Sequence, residues 1–423
     1  MPRLVRRLLI VAAVVGVLVW LEAGPAPGGA GGFHAILDDA AWRQLTLFAM
    51  VNVLIALSLN VINGMAGQFS IGHAGFVGIG AYTGAVVAGN LHQMLGYEDV
   101  TFGHSFIVMP LVLIASGSIA ALFGLFVGLP SLRLRGDYLA IVTLGFAEIF
   151  RLSIATAQTG GQAEGVIAKF FASLGGANGY AGPPPGIGIP QYAGPFWVFG
   201  AVVLGTLVAW RLKFSGWGRA LRALREDEIA ASAVGVDPTR YKVTSFVIAA
   251  AGAGLAGGLF ATMHEGSPTV QPDSFTFAQS FDAITMVILG GSGSVSGAIA
   301  GGVFVTVTVK VIENFQPLLK TKLAALADSI HGTFPSVADR LKDLDLNALR
   351  MVVYASVLIG LMILRPEGLF GEREIFRRKR PAKKDDGAGP SAKKEAVKPA
   401  EEAAKEANPE PAETGSLEKA VAS

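Results

Sequence analysis

The sequence predicts an all-α fold, a polytopic transmembrane helix bundle, from three observations. Hydrophobic residues make up 52% of the 423 and charged residues only 16%, more apolar surface than a water-soluble core of average composition can use. Apolar runs long enough to cross roughly 30 Å of hydrocarbon with every backbone hydrogen bond satisfied internally recur along the chain. The 54 glycines fall mostly inside these runs, where small residues let helix backbones approach closely. Together these predict about ten membrane helices, near 8–21, 45–61, 65–88, 106–129, 138–156, 196–210, 243–263, 277–291, 294–312 and 350–364.

The first run is short and follows Arg3, Arg6 and Arg7, so it reads as a membrane helix or as a cleaved signal segment. Residues 1–44 are taken as this helix with an external lead, 45–371 as the membrane domain, and 372–423 as a cytoplasmic tail. Basic residues set the orientation. Arg133 and Arg135, and then Arg211, Lys213, Arg219, Arg222, Arg225, Arg240 and Lys242, mark two cytoplasmic segments. The Gly- and Pro-rich stretch 157–195 between them carries only Glu164 and Lys169 and suits the outer face. Helix parity then puts both termini in the cytoplasm.

The run Asp282–Ile312 is too long for one crossing and is interrupted by Gly290-Gly291-Ser292-Gly293-Ser294, so it is split into two helices meeting in a tight turn or a discontinuous helix. Two crossings keep Arg377–Arg380 inside. They also make 313–349 an external loop, whose apolar spacing predicts short amphipathic helices on the membrane surface. Beyond Gly371 the chain becomes rich in Lys, Glu, Ala and Pro, a composition that predicts disorder.

The cytoplasmic segment 211–242 contains Gly218–Gly235, which reads as one helix with Leu221, Leu224, Ile229 and Ala233 on one side and charges elsewhere, stopped by Gly235. Such an element is either a solvated connection or a handle through which a soluble partner moves the flanking spans. Polar residues inside apolar helices are costly and mark cavities or helix contacts. Asn60, Gln68, Ser70 and His73 lie near the turn between the second and third helices, where they line an inner gate or bond across helices. Glu148 has Arg151 at i+3, an ion pair or a contact for a substrate ammonium. Asp282, near the outer end of the eighth helix, reads as a cap in preference to a binding group.

With no cysteine, disulfides, thiolate zinc sites and cysteine nucleophiles are excluded. No GxxxxGK[ST] phosphate loop occurs, so this chain is not itself an ATPase. No nucleic acid partner is expected, and membrane lipid is the surrounding solvent.

The run Leu57–Phe76 with Gly80-Ala81-Tyr82, the run Leu134–Phe146, and Leu289-Gly290-Gly291-Ser292-Gly293-Ser294 resemble the LivM-type permease subunits of branched-chain amino acid ABC importers. The resemblance covers roughly 45–365. Glu228-Ile229-Ala230-Ala231 followed by Gly235 is similar to the coupling-helix motif of such permeases, with Ile229 interposed. It implies that Arg222, Glu226, Asp227, Glu228, Ala230, Ala231 and Gly235 meet the ATPase subunit. It further implies a homologous second permease, two cytoplasmic ATPase subunits that bind the ATP, a periplasmic substrate-binding protein, inner-membrane location and no cofactor on this chain. The same pattern would serve an importer of urea, amides or other amino acids, and broken helices near Gly64 and Gly291 would suit an ion-coupled secondary transporter.

Overall fold

A computed structural model describes residues 3–22, 39–131, 137–157, 166–184 and 188–330, with isolated residues between 355 and 374. The helices are α1 (Arg3–Glu22), α2 (Ala40–Leu59), α3 (His73–Met94), α4 (Phe102–Ser131), α5 (Asp137–Ala155), α6 (Val166–Ser173), α7 (Pro195–Phe214), α8 (Gly216–Glu226), α9 (Glu228–Ala233), α10 (Pro238–Ala261), α11 (Phe277–Gly290) and α12 (Val295–Ile330). Among the described residues there is no strand beyond two isolated bridges, Tyr180 to Val270 and Ala193 to Met263. Among the described residues seven helical stretches are long and apolar enough to cross a membrane, and the chain is a multi-pass membrane protein. The crossing expected at 350–364 falls mostly outside the described residues, as do Arg133, Arg135 and nearly all of the tail.

The bundle is built around α10, which packs on α2, α3 and α4. Glycines make those approaches possible. A Cβ on Gly84 would sit 2.8 Å from Gly258 Cα, and one on Gly80 would run into Gly254 of the same helix, so the two small-xxx-small motifs face each other. Gly297 and Gly301 bring α12 equally close to α11 at Gly290 and Met286. Glu22 Oε2 accepts from Phe196 N at 2.8 Å, which ties α1 to the first turn of α7.

Three expected elements differ. The third helix does not begin at 65: α2 runs into a π-helix, Asn60–Met65, and the backbone from Ala66 to Gly72 is non-helical. Gly67 adopts φ +68° against the Arg225 side chain, a conformation glycine takes without a Cβ penalty. The apolar run continues through this break, so periodicity alone bridges it. The stretch after Ile312 is not short surface helices as far as Ile330, because α12 continues unbroken to that residue. Charges such as Lys310 and Glu313 end an apolar span without ending a helix. Residues 331–349 lie outside the described set. Finally, Asp282 does not cap α11: Thr276 is the N-cap, and Asp282 lies more than a turn inside the helix.

Candidate coupling and gate site

The cytoplasmic segment is two helices, not one. Ser215 caps α8 by accepting from Gly218 N at 3.2 Å. After Glu226 the chain extends at Asp227, φ −153°, whose carboxylate accepts from Ile229 N at 2.8 Å and Ala230 N at 3.0 Å and so starts α9. An Asp in mid-run reads as a helix-surface charge, yet its short acceptor is better suited to capping. The break rotates the faces. Leu221 and Leu224 are buried beneath α8, whereas Ile229 is 83% and Val234 79% exposed. Ile229 therefore does not continue the buried face expected for it. Ala231 is buried and Ala230 exposed. Gly235, at φ +87°, reverses the chain toward Asp237, which caps α10 through Arg240 N at 3.3 Å.

Several charges expected to meet a partner are already engaged within the chain. Glu228 Oε2 pairs with Lys242 Nζ at 2.6 Å, fastening α9 to α10. Arg222 donates to Gly218 O at 3.3 Å and Lys213 O at 3.4 Å. Glu226 and Asp227 are exposed.

Arg225 was not singled out by the sequence, and it makes the decisive connection. Its guanidinium donates to Gly64 O at 2.8 Å, joining α8 to the π-helical end of α2. One turn before Gly64, the wholly buried Asn60 spans to the second break: Gly293 N donates to Asn60 Oδ1 at 2.8 Å and Asn60 Nδ2 donates to Ser294 O at 3.1 Å. The N-terminus of α12 that follows is capped from the far end of the chain. Glu374 accepts from Val295 N at 2.7 Å, Ser296 N at 3.1 Å and Ser296 Oγ at 2.7 Å, and from Lys213 Nζ at 2.5 Å. Lys213 sits in the last turn of α7, next to α8. The contacts thus return to the segment they left. Sequence inspection could not find Glu374, which stands in a stretch of tail-like composition.

Beside this ring, Gln68, Ser70 and His73 are buried where the non-helical Ala66–Gly72 segment meets α2 and α5. Ser58 Oγ donates to Ile55 O at 2.8 Å and lies 2.8 Å from His73 Nε2, so Nε2 carries the proton in this arrangement. His73 Nδ1, Ser70 Oγ and both Gln68 side-chain polar atoms have no partner among the described residues. Glu148 lies apart from them. It forms the ion pair that its spacing suggests, Arg151 Nε to Glu148 Oε2 at 2.8 Å, and Arg151 also reaches Asp273 at 3.2 Å. Glu148 Oε1 accepts from Phe277 N at 3.3 Å.

Residues 43–364 match the family described as branched-chain amino acid transport system / permease component. The chain belongs to this family. Among the permease family's curated relatives, the high-affinity branched-chain amino acid transport system permease protein LivM of Salmonella typhimurium is 36% identical over 300 residues, covering 67% of this chain and 66% of the relative. The LivM of Escherichia coli is 35% identical over 299 residues, again covering 66% of the relative, so this chain spans slightly less than two thirds of either. The permease protein LivH of Escherichia coli is 28% identical over 164 residues, 39% of this chain and 42% of the relative. No solved structure matches. The ring reaches beyond the family match, since Glu374 lies outside residues 43–364.

Proposed function

We propose that this permease-family chain is the membrane-spanning subunit of an ATP-driven importer for branched-chain amino acids, forming the translocation path by alternating access. The observation that carries the reading is the Arg225 to Gly64 bond, which joins the surface segment to the first helix break, from which Asn60 reaches the second. In this reading α8 and α9 form the coupling element, with Arg222, Glu226, Asp227, Glu228, Ala230, Ala231 and Gly235 near the ATPase subunit and Ile229 and Val234 inserted in its cleft. The breaks at Asn60–Gly72 and Gly291–Ser294 form the inner gate, bordered by Asn60, Gln68, Ser70 and His73, with Glu148 and its ion pair farther out.

The partners are a homologous second permease, two cytoplasmic ATPase subunits that bind and hydrolyse ATP, and a periplasmic substrate-binding protein that confers most of the selectivity. The chain itself needs no cofactor and performs no covalent chemistry. It lies in the bacterial inner membrane with the coupling segment and both termini inside, since Arg211, Lys213, Arg219, Arg222, Arg225, Arg240 and Lys242 gather at one end of the bundle.

The test is uptake of radiolabelled leucine into vesicles holding this chain with the products of its neighbouring genes, with and without internal ATP. Uptake requiring both ATP and the external binding protein is expected. Uptake of urea or amides in place of leucine would change the cargo, and ATP-independent uptake by this chain alone would replace the importer with a secondary transporter.

A further inference from the structure

α2 is the floor of a groove whose walls are α7 and α10. Glycines bring both walls against that floor: a Cβ on Gly205 of α7 would sit 2.8 Å from Leu54, and one on Gly252 of α10 would sit 2.7 Å from Ser58. The walls barely touch each other, and a gap of about 460 Å³ is left between them. It is lined along α7 from Phe196 in the first turn to Leu212 in the last, a run of about 24 Å at about 1.5 Å per residue.

This groove offers a polar molecule nothing to bond to. The side-chain polar atoms on its lining are already engaged: Ser58 Oγ bonds to Ile55 O and His73 Nε2, and Trp197 Nε1 donates to Ser105 Oγ at 2.8 Å. Hydrocarbon fits, and an empty gap would forfeit the dispersion contacts of both walls. A helix about 10 Å across and equally long would need roughly 1,900 Å³, so the groove admits a flexible chain and not a helix of another subunit.

At the end that carries the coupling segment the groove becomes basic. A second hollow continues it, sharing Val208 and Leu212 and adding Arg211 and Ser215. The Arg211 side chain is exposed and has no ion pair or hydrogen bond among the described residues. Ser215 caps α8, and the Arg219 guanidinium lies over the first residue of that helix, 3.7 Å from where a Cβ on Gly216 would stand. Arg219 too is unpaired among the described residues. Two guanidiniums and the positive end of a helix thus gather at a mouth lined by no carboxylate.

We propose that this groove holds one anionic glycerophospholipid, with an acyl chain between α7 and α10 and its phosphate held by Arg211 and Arg219 at the start of α8. Basic pockets between membrane helices recognise such headgroups. A free phosphate matches only the mouth, and a zwitterionic lipid brings its own ammonium against the guanidiniums. The lipid fills the space that α7 and α10 leave and binds the last turn of α7 to the first turn of α8, where the coupling segment begins. The site is independent of the cargo.

Native mass spectrometry of the purified full-length chain, released from detergent containing equal amounts of palmitoyl-oleoyl phosphatidylglycerol and phosphatidylcholine, counts the lipid retained. One phospholipid per chain is expected, with phosphatidylglycerol favoured about tenfold. The double variant Arg211→Ala/Arg219→Ala should remove the preference, whereas Arg240→Ala, a basic residue lining neither hollow, should preserve it. Ala251→Trp, which fills the groove, should abolish retention of both lipids. Dihexanoyl phosphatidylglycerol and inorganic phosphate should not be retained.

Equal retention of the two lipids by the wild type, a preference that survives the double variant, or retention of inorganic phosphate overturns the site. A phosphatidylglycerol with a photoactivatable diazirine midway along one acyl chain, crosslinked in phosphatidylcholine nanodiscs, locates the lipid without any variant. Attachment to Leu204, Val208, Ile248 or Leu255, competed by unlabelled phosphatidylglycerol and not by phosphatidylcholine, is expected. Attachment confined to other helices overturns the proposal, and loss of these crosslinks in the assembled transporter would give the groove to another subunit instead.

Discussion

Lys213 Nζ lies 2.5 Å from Glu374 Oε1, with the two side chains only 7% and 2% exposed, and the same carboxylate caps α12 through Val295 and Ser296. Burying a pair of opposite charges is tolerable because the remaining acceptor positions are filled, but leaving one charge alone costs about 3–5 kcal/mol. Lys213→Ala or Glu374→Ala should therefore lower the thermal midpoint of the purified protein markedly, and Glu374→Gln less, because the amide oxygen still accepts from the helix terminus. Truncation after Phe376 should leave the midpoint in place, and truncation after Gly371 should lower it. An unchanged midpoint in Lys213→Ala would show that the pair contributes nothing.

The same carboxylate sets an acid limit. Burial pushes Glu374 up, but the bonds from Lys213, Ser296 and the Val295 and Ser296 N–H groups outweigh it and hold the carboxyl below its ordinary 4.5. A group whose folded pKa is depressed contributes stability that is fully present above its unfolded value and is lost as pH falls through the folded one. Stability should then decline with acid below about pH 4.5 more steeply in the wild type than in Glu374→Gln. Parallel unfolding curves for the two proteins would contradict this.

Arg225 is the joint between α8 and the turn at Gly64. Arg225→Ala removes a charge-assisted hydrogen bond worth about 1.5–3 kcal/mol without touching the exposed tip of α9. The expected result is an assembled complex in which ATP hydrolysis continues and leucine uptake falls, with partial recovery in Arg225→Lys. The ratio of transport to hydrolysis measured on one preparation decides it, and an unaltered ratio would remove Arg225 from the coupling path.

Ile229 and Val234 are apolar and exposed, so replacing them disturbs no buried contact. Ile229→Asp or Val234→Asp should keep the thermal midpoint of the isolated subunit and weaken retention of the ATPase subunit at least about tenfold, roughly 1.4 kcal/mol, in a pull-down from detergent. Retention equal to the wild type would place the docking surface elsewhere.

Much of the architecture was legible because lipid imposes a length and a polarity that the sequence must obey. The apolar body of the central helix α10, Pro238–Ala261, was legible as a span at 243–263, whereas its polar first turn, Pro238–Lys242, reads in sequence as part of the cytoplasmic segment. Also legible was the break at Gly290–Ser294, where glycine and serine interrupt the run. The break after Met65 was not, since Phe69 and Ile71 keep the local hydropathy high while Gly67 turns the backbone. At the site, the acidic and alanine positions of α9 could be named, but their partners could not. Glu228 bonds to Lys242 inside the chain, and the load falls on Arg225, one of many basic residues in its segment. Glu374 finds its partners 78 and 161 positions away, a distance over which local pattern carries no information.

The contacts that leave Lys213, pass through Arg225, Gly64, Asn60, Gly293 and Ser296 and come back by way of Glu374 make a closed linkage of bars and joints. In an open chain of bars each joint turns freely, but in a closed one the angles constrain one another, so a tilt of α8 cannot be taken up at its own end and must reappear at both helix breaks. Undoing any one joint opens the whole loop. Single disruptions at Arg225, Asn60 or Glu374 should then resemble one another in how they disturb transport, and a second cut should add little to the first.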